Sequence, residues 1–421
     1  GAYAQINIQA SGFWSGQFQG MIGLAQLQPG YYGGLMNYGP HNPAKGGLLW
    51  SGEGRACSNV NGWFVVDSVT YTGTALTAIE MRFEQHCEVN TPALRGQIRW
   101  SANDTTAPPG PVSPPPADLW RPVPGSTPTS GNFVHLQSDP DDYIGLGQTS
   151  TYTNANAVLT VSAAGGRLMV WVNGNEYWSG DFQAMNGLSA LQLGYYGNLE
   201  SYPSHNPVIG GMSWGGEGRR CNTLTGWFVV DSVSYVSGAL SAIDLRFEQH
   251  CSGGASALRG QIRWSASDTT VPAGPVNPPP VGLWQPAQGS TPASGNFVYL
   301  QSDSGDYIGQ GQTYTYTSAT AALSFSAAGG YLAVVVNGAQ SWTGNFQTMN
   351  VLTELRPGYY GNLQRYPFHN PAYGGLDWYG QNRGCNNLTG WVVVDNVSYV
   401  SGVLSAIDLR FEQHCEGVTP A

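Results

Sequence analysis

A unit of 164 residues recurs along this chain, and it limits the possible folds more than any other sequence feature. The string Arg-Phe-Glu-Gln-His-Cys begins at Arg82, returns at Arg246 and returns again at Arg410. Units of solenoid proteins span about 20–50 residues, so a period this long corresponds to a whole domain plus a linker. We therefore expect a tandem array of near-identical domains.

The period divides the 421 residues into three domains joined by two proline-rich linkers. The predicted domains are residues 1–100, 119–264 and 283–421, and the predicted linkers are residues 101–118 and 265–282. Each linker contains three consecutive prolines near its end. Because this composition favours the extended polyproline II conformation, we expect semi-rigid spacers that hold the domains apart along a line.

The two end domains are shorter than the middle one, which serves as the reference. The first repeat lacks the 46 residues that match 119–164, and the third lacks the strand that matches 258–264. A sandwich without one of its strands exposes a sheet edge and part of its core. Two interpretations stay open: the sequence is a window on a longer array, or neighbouring chains supply the missing strands, as in donor-strand polymers.

Within a repeat, short apolar segments alternate with turn signals rich in glycine and asparagine, a pattern typical of antiparallel strands. The alternation is clearest at residues 240–251, whose apolar face holds Ile243, Leu245, Phe247 and Cys251, and whose charged face holds Asp244, Arg246, Glu248 and His250. Period two with one polar face predicts a half-buried strand with a solvated charged face. About eight to ten strands per repeat favour an all-β fold of tandem β-sandwich or jelly-roll-like domains.

Six cysteines fall in three pairs, one pair in each repeat. The partners stand 30 positions apart, as Cys57 and Cys87, Cys221 and Cys251, and Cys385 and Cys415. An even count in register with the repeats predicts one disulfide per domain and an oxidising compartment, so we expect an extracellular or cell-surface protein. The alternative is a metal site that combines the cysteines with His86, His250 or His414, although no Cys-x-x-Cys spacing supports it.

The composition argues against several functional classes. Only 10% of the residues are charged, against about 25% in ordinary soluble proteins, and the net charge of −10 comes without a basic stripe. Nucleic-acid binding is therefore not expected. No run of about 18 apolar residues occurs, so we expect no segment that spans a membrane.

Acidic residues recur in a glycine-rich loop of the second and third repeats. They are Asp139 and Asp142 in the second repeat, and Asp303 and Asp306 in the third. Carboxylates two or three positions apart in a loop can provide oxygen ligands for Ca²⁺, which makes calcium the one candidate cofactor. The same residue types also cap turns without a metal, and their spacing matches no EF-hand, so a structural turn is the alternative.

A tyrosine pair recurs in each repeat and is the candidate ligand-binding feature. The pairs are Tyr31 and Tyr32, Tyr195 and Tyr196, and Tyr359 and Tyr360. Together with the tryptophans that align with Trp178, Trp214 and Trp227, exposed rings would form a platform on which sugars stack, whereas buried rings would belong to the core. The alternative function is therefore a multivalent carbohydrate-binding, lectin-like protein, in which several weak sites act together.

No set of residues suited to catalysis recurs in all three repeats. Glu53 and Glu217 stand in the string Gly-Glu-Gly-Arg, but the third repeat has Gln381 there, and glutamine cannot act as a general acid. A His-Asn-Pro string also recurs, without a serine or cysteine nucleophile that completes a recognisable triad motif. The sequence therefore predicts no enzyme and no catalytic residues.

Several strings of the second repeat together resemble a repeat domain found in secreted bacterial proteins. They include Gly-Glu-Gly-Arg-x-Cys-Asn, Gly-Trp-Phe-Val-Val-Asp, Phe-Glu-Gln-His-Cys and Leu-Arg-Gly-Gln-Ile-Arg-Trp, and the resemblance covers nearly the whole chain outside the linkers. It implies export, tandem arrangement and a β-rich extracellular module, and it brings no catalytic residues. The third repeat departs from the pattern at Gln381 and the first at Ala56, which indicates a tolerant loop.

These features together predict a secreted bacterial structural or adhesive protein. Near-identical domains, proline-rich spacers and scarce charge suit an extracellular filament or surface layer that forms by self-association of neighbouring copies. Strand complementation between chains would be one means of assembly.

Overall fold

The structure, a computed structural model, describes residues 2–88 and 92–416. These residues form 26 β-strands and no helix, which confirms the predicted all-β fold. Each strand pairs only with strands of its own repeat, so no sheet extends from one repeat into the next.

The strands are numbered in chain order. The first repeat contributes β1 (Tyr3–Gln9), β2 (Phe13–Gln19), β3 (Gly30–Asn37), β4 (Gly47–Gly52), β5 (Val60–Thr72), β6 (Ala75–Cys87) and β7 (Ala93–Ser101). The second contributes β8 (Phe133–Ser138), β9 (Thr149–Thr153), β10 (Val158–Ala164), β11 (Arg167–Asn173), β12 (Tyr177–Gln183), β13 (Gly194–Ser201), β14 (Gly211–Gly216), β15 (Leu224–Val236), β16 (Ala239–Cys251) and β17 (Ala257–Ser265). The third contributes β18 (Phe297–Gln301), β19 (Thr313–Thr317), β20 (Ala322–Ala328), β21 (Tyr331–Asn337), β22 (Ser341–Gln347), β23 (Gly358–Arg365), β24 (Gly375–Gly380), β25 (Leu388–Val400) and β26 (Val403–Cys415).

The second repeat forms a sheet of ten strands in the order β10-β11-β12-β14-β13-β15-β16-β17-β8-β9. The sheet folds over at β13, which pairs briefly and in parallel with β14 and antiparallel with β15 across a register shift. Two layers therefore face each other, and the Phe182 ring of β12 lies 5.5 Å from the Phe228 ring of β15 and 5.3 Å from the Phe247 ring of β16, measured between centroids. This arrangement is of the predicted sandwich class.

The first and third repeats keep this strand order with fewer strands. The first has the order β1-β2-β4-β3-β5-β6-β7, and the third has β20-β21-β22-β24-β23-β25-β26 with β18 and β19 as a separate pair. Within the described residues, β7 therefore pairs with β6 alone, and no strand joins β26 to β18. In the second repeat, β17 fills that position between β16 and β8.

The core of each repeat is built from side chains at equivalent positions. Phe182, Trp214 and Phe247 lie at the centre of the second core and are almost fully buried. A β-carbon on Gly180 would lie 2.1 Å from the Trp214 ring, so this strand position admits only glycine without displacing the ring. The glycine therefore lets the large indole pack flat against its neighbouring strand.

One disulfide closes each repeat, as the cysteine spacing predicts. The bonds join Cys57 to Cys87, Cys221 to Cys251, and Cys385 to Cys415. Each links the last residue of a long strand to the turn before its neighbouring strand. The alternative in which these cysteines ligate a metal with a neighbouring histidine is wrong, because the sulfur atoms are bonded to each other.

The linkers do not act as the free spacers that their composition predicts. Val112 forms a β-bridge with Tyr195 of the second repeat, and Val276 forms the same bridge with Tyr359 of the third. The repeats also touch directly, since the side-chain amide of Asn370 donates hydrogen bonds of 2.9 and 2.8 Å to Asn156 and Asn175 of the second repeat. The expectation that the spacers hold the domains apart is therefore wrong for the second and third repeats.

Among the described residues, no helix is long and apolar enough to cross a membrane.

Candidate functional site

In the second repeat, β17 lies between the long strand β16 and the first hairpin, which β8 and β9 form. Its contacts show which residues a strand at this position needs. Leu258 and Ile262 on this strand are fully buried. Gly260 lies against the Phe247 ring, where an added β-carbon would come within 2.4 Å of a ring atom. The strand therefore needs large apolar residues at two positions and a glycine between them.

Charged groups fix the register of β17 on both sides. Arg259 donates from Nε to Glu248 at 2.5 Å and from Nη1 to Asp139 at 2.6 Å. Gln261 donates to Asp244 at 2.8 Å. The Arg259 guanidinium lowers the pKa of the Asp139 carboxyl, so this pair is ionised at neutral pH.

Within the described residues, the third repeat has an open groove at the equivalent position, between β26 and β18. Its floor and walls include Leu300, Ile308, Leu409, Phe411 and Glu412. Leu245 and Phe247 of the second repeat have no exposed surface, whereas the equivalent Leu409 and Phe411 are partly exposed. The groove therefore presents an apolar floor with a carboxylate at its rim.

β7 of the first repeat is a strand whose outer edge is unpaired within the described residues, and it is therefore the counterpart of the groove in the third repeat. Its sequence from Ala93 to Ser101 is identical to that of β17. Leu94 is 43% exposed and Trp100 is 46% exposed, although Leu258 in the matching position of the second repeat is fully buried. Such an edge is a template for pairing with a further strand.

The predicted calcium ligands serve as turn caps and ion-pair partners in the second repeat. Asp139 bonds Arg259 and accepts the backbone N–H of Ala257 at 2.9 Å. Asp142 accepts hydrogen bonds from the Ser138 hydroxyl at 2.9 Å and from the Gly145 N–H at 2.6 Å.

Asp306 of the third repeat makes the matching bonds to Ser302 and Gly309, whereas Asp303 makes no ion pair within the described residues. No group of three or more His, Cys, Asp or Glu residues that could hold a metal occurs in the described part of the chain, and calcium binding stays an untested prediction.

The two members of each tyrosine pair point in opposite directions. Tyr32, Tyr196 and Tyr360 are buried in the cores, where Tyr196 stacks 4.3 Å from Phe228 and burial raises its pKa to about 12. A ligand cannot reach these three rings, so their candidate binding role is wrong. The first member of each pair lies outside: Tyr31 is 65% exposed, and Tyr195 and Tyr359 are half-buried beneath the linker bridges.

The tryptophans named for a sugar platform are also core residues. Trp178, Trp214 and Trp227 are each at most 8% exposed. Trp178 donates its indole N–H to Tyr152 at 2.8 Å, and the Arg219 guanidinium lies 5.8 Å from its ring centroid. These rings therefore stabilise the fold and do not form an open platform.

The Gly-Glu-Gly-Arg string forms a turn that hydrogen-bonds to the loop of the first hairpin, between β8 and β9. Glu217 adopts a φ of 50° and accepts the Tyr177 N–H at 2.7 Å, while Arg219 donates to the Ile144 carbonyl at 2.8 Å. In the third repeat, Gln381 has a φ of 52° and Arg383 donates to Ile308 at 2.8 Å. A glutamine keeps the same turn, which explains the tolerance at this loop.

Two buried polar residues, Gln249 and Arg246, have a clear structural role that no sequence pattern predicted. The Gln249 amide accepts from Trp214 N and donates to Trp214 O, each at 2.9 Å, and so joins the two layers of the sandwich. Arg246 is 2% exposed, pairs with Asp231 at 2.6 and 3.0 Å and donates to the Trp120 carbonyl at 2.5 Å. The prediction that this charged face is solvated is wrong for Arg246, because the start of the repeat covers it.

Comparison of the chain with protein-family models, with curated proteins and with solved structures found no match.

Proposed function

We propose that this chain is a secreted bacterial structural or adhesive protein whose repeats form an extracellular filament or surface layer. The observation that carries the proposal is the contact of each linker with the repeat that follows it, which is formed twice in the same way. Val112 exchanges both backbone hydrogen bonds with Tyr195, at 2.9 and 2.8 Å, and Val276 does the same with Tyr359. A chain that repeats one junction produces an extended object with a regular step.

Each linker is also held at its beginning by the repeat that precedes it. Ala102 donates to the Thr77 carbonyl at 2.8 Å, and Ala266 donates to the Ser241 carbonyl at 2.9 Å. Anchors at both ends limit the freedom between successive repeats, which suits a load-bearing array better than a set of independent binding modules.

The composition and the crosslinks fit this role. One disulfide per repeat suits an oxidising environment outside the cell. With only 10% charged residues, copies can pack side by side with little electrostatic repulsion. No catalytic activity is proposed, because the recurring polar strings are engaged in turns and layer contacts.

The groove beside β26 supports one part of the proposal, the self-association of neighbouring copies. A strand with the sequence of β17 would place its arginine opposite Glu412 and Asp303 and its glycine over Phe411, as in the second repeat. A neighbouring copy carries this sequence in its β7. To enter the groove, that β7 would separate from its own partner β6, whose sequence is nearly the same as that of β26. The exchange therefore replaces one strand partner with an equivalent one and adds pairing to β18.

Binding of a synthetic peptide, Ala-Leu-Arg-Gly-Gln-Ile-Arg-Trp-Ser, to the full chain tests whether the groove accepts a strand. The protein is first diluted until sedimentation shows that it consists of single chains. The peptide should protect β26 and β18 amides from hydrogen exchange, and a peptide with leucine in place of its glycine should not. No protection at millimolar peptide would refute strand binding.

Sedimentation velocity of the purified chain under native conditions tests the proposed function as a whole. We expect assemblies that grow with concentration. A single-chain species that persists at high concentration would contradict a filament or layer, whatever the peptide experiment gives.

A further inference from the structure

One outer surface differs among the three repeats although the cores beneath it are alike. In the third repeat this surface contains a polar depression on the outer face of β22 and β24, away from the groove beside β26. The residues that matter are Ser341 and Thr343 of β22, Arg365 at the end of β23, Asp377 and Tyr379 of β24, and Gly384. We call this surface the β24 depression.

A change at one position opens the β24 depression. In the second repeat, Arg220 lies over the sheet and donates to Ser213 at 3.1 Å and to Ser179 at 2.8 Å. The third repeat has Gly384 where the second has Arg220. A β-carbon on Gly384 would make only ordinary contact, at 3.6 Å from Tyr379, so the missing side chain leaves accessible space.

A buried acceptor without a partner belongs to a residue that lines this space. Asp377 stands where the second repeat has Ser213, and it is 7% exposed. Its Oδ1 atom is buried and has no hydrogen-bond partner. A buried polar atom left unpaired costs about 1–3 kcal/mol, so a ligand that donates a hydrogen bond here would recover that loss.

The electrostatics of the β24 depression suit a neutral ligand. Burial raises the pKa of Asp377, and the nearby Arg365 guanidinium acts in the opposite direction. Asp377 is the one carboxylate in the lining, and Arg365 and Arg383 are its two guanidinium groups. Arg383 already donates to the Ile308 carbonyl at 2.8 Å, so little net charge is left for an ionic ligand to pair with. The hydroxyls of Ser341 and Thr343 add groups that both donate and accept, and Tyr379, which is 39% exposed, lines the same depression.

We propose that the β24 depression of the third repeat binds one neutral hexose unit of a glycan. A sugar ring offers several hydroxyl donors for Asp377, acceptors for Arg365, and a C–H face that packs on Tyr379. The first repeat has Leu49 at the position of Asp377 and Ala56 at that of Gly384, so the site occurs once in the described repeats. It is independent of the proposed filament and would give that structure a sugar contact.

Saturation-transfer NMR of the full chain with methyl glucoside, galactoside and mannoside tests this proposal. At least one hexoside should bind, and Asp377→Ser, which installs the residue of the second repeat, should weaken it at least tenfold. Gly384→Arg should have the same effect, because it refills the depression with the side chain that the second repeat carries there.

Arg220→Gly is the matched control, since it alters the equivalent surface of the second repeat and should leave binding unchanged. Circular dichroism verifies that each variant is folded. The proposal is overturned if none of the three hexosides binds, or if binding persists unchanged in both folded variants of the third repeat.

Discussion

The side chain of Gln249 hydrogen-bonds the backbone of Trp214 as a neighbouring strand would. It accepts from the Trp214 N–H and donates to the Trp214 carbonyl, each at 2.9 Å. The two residues lie on facing layers of the sandwich, on β16 and β14. Gln85 holds Trp50 in the same way in the first repeat, and Gln413 holds Trp378 in the third. This pair therefore joins the two layers of every repeat.

Replacing this glutamine should destabilise its repeat. Gln249→Leu leaves one buried N–H and one buried carbonyl unpaired, at about 1–3 kcal/mol each. We expect the urea midpoint of the second repeat to fall accordingly. Gln312→Leu on an exposed loop is the control and should change stability by less than about 0.5 kcal/mol. Equal midpoints for the two variants would show that the layers are held together by other contacts.

The buried Arg246 should matter more than its equivalent in the first repeat. Arg246→Met removes the main partner of Asp231 and releases the Trp120 carbonyl. Because the Asp231 side chain is 27% exposed, we expect a loss of about 1.5–3 kcal/mol, the value of a hydrogen bond to a charged group. Arg82→Met removes the matching bond to Asp67, but Arg82 is 51% exposed, so a loss below about 1 kcal/mol is expected.

Limited proteolysis separates the two arginine variants directly. Cleavage near Trp120 should accelerate in Arg246→Met and stay unchanged in Arg82→Met. Similar cleavage rates would mean that Arg246 does not anchor the start of the repeat.

Removing a disulfide should lower the stability of one repeat only. Cys221→Ser combined with Cys251→Ser opens a loop between positions 30 apart, which the chain-entropy model values at about 3–4 kcal/mol. Hydrogen exchange should therefore accelerate in β15 and β16 but not in β25 and β26. Uniform acceleration across both repeats would contradict this prediction and show that the two repeats unfold as one unit.

Acid should weaken the attachment of β17 to the first hairpin. The pKa of Asp139 is lowered chiefly by its hydrogen bond with Arg259, so its contribution is complete above the unfolded-state pKa of about 3.9 and is lost as pH falls through the lower folded value. Amide exchange of β17, corrected for its intrinsic pH dependence, should show this loss below about pH 4.

Two asparagine substitutions serve as controls for the acid prediction. Asp139→Asn should remove the acid-dependent step, because no carboxylate remains to protonate. Asp303→Asn in the third repeat, where the equivalent residue makes no ion pair within the described residues, should leave it intact. A step that survives in Asp139→Asn would assign it to another group.

The alternation of short apolar segments with turn signals predicted the fold class, and the cysteine spacing predicted the disulfides, because both are local patterns that every repeat carries. Period-two alternation also placed Leu245 and Phe247 on the buried face correctly. It could not show that Arg246 is buried, because the covering residue, Trp120, lies 126 positions away. Burial of a polar residue by a distant segment leaves no trace in a short window of sequence.

The tyrosine pairs illustrate a second limit. Adjacent residues on a strand face opposite sides, so one member of each pair had to be buried and the other exposed. Both members of each pair were candidate ligand-binding residues, with burial in the core as the alternative, and Tyr32, Tyr196 and Tyr360 are core residues. The period of the strand would have separated them.

The β24 depression was not predicted from the sequence, because its opening depends on one side chain. Comparison of Arg220 with Gly384 suggests a difference only after the structure shows that Arg220 spans two serines of neighbouring strands. Position-by-position comparison of the repeats on the outer face was the signal that could have found it.

Negative-stain microscopy of the native, unboiled protein tests the central claim most directly. The proposed assembly predicts regular filaments or a layer whose axial step equals one repeat plus its linker. Isolated rods of single chains, without end-to-end or lateral contacts, would contradict it.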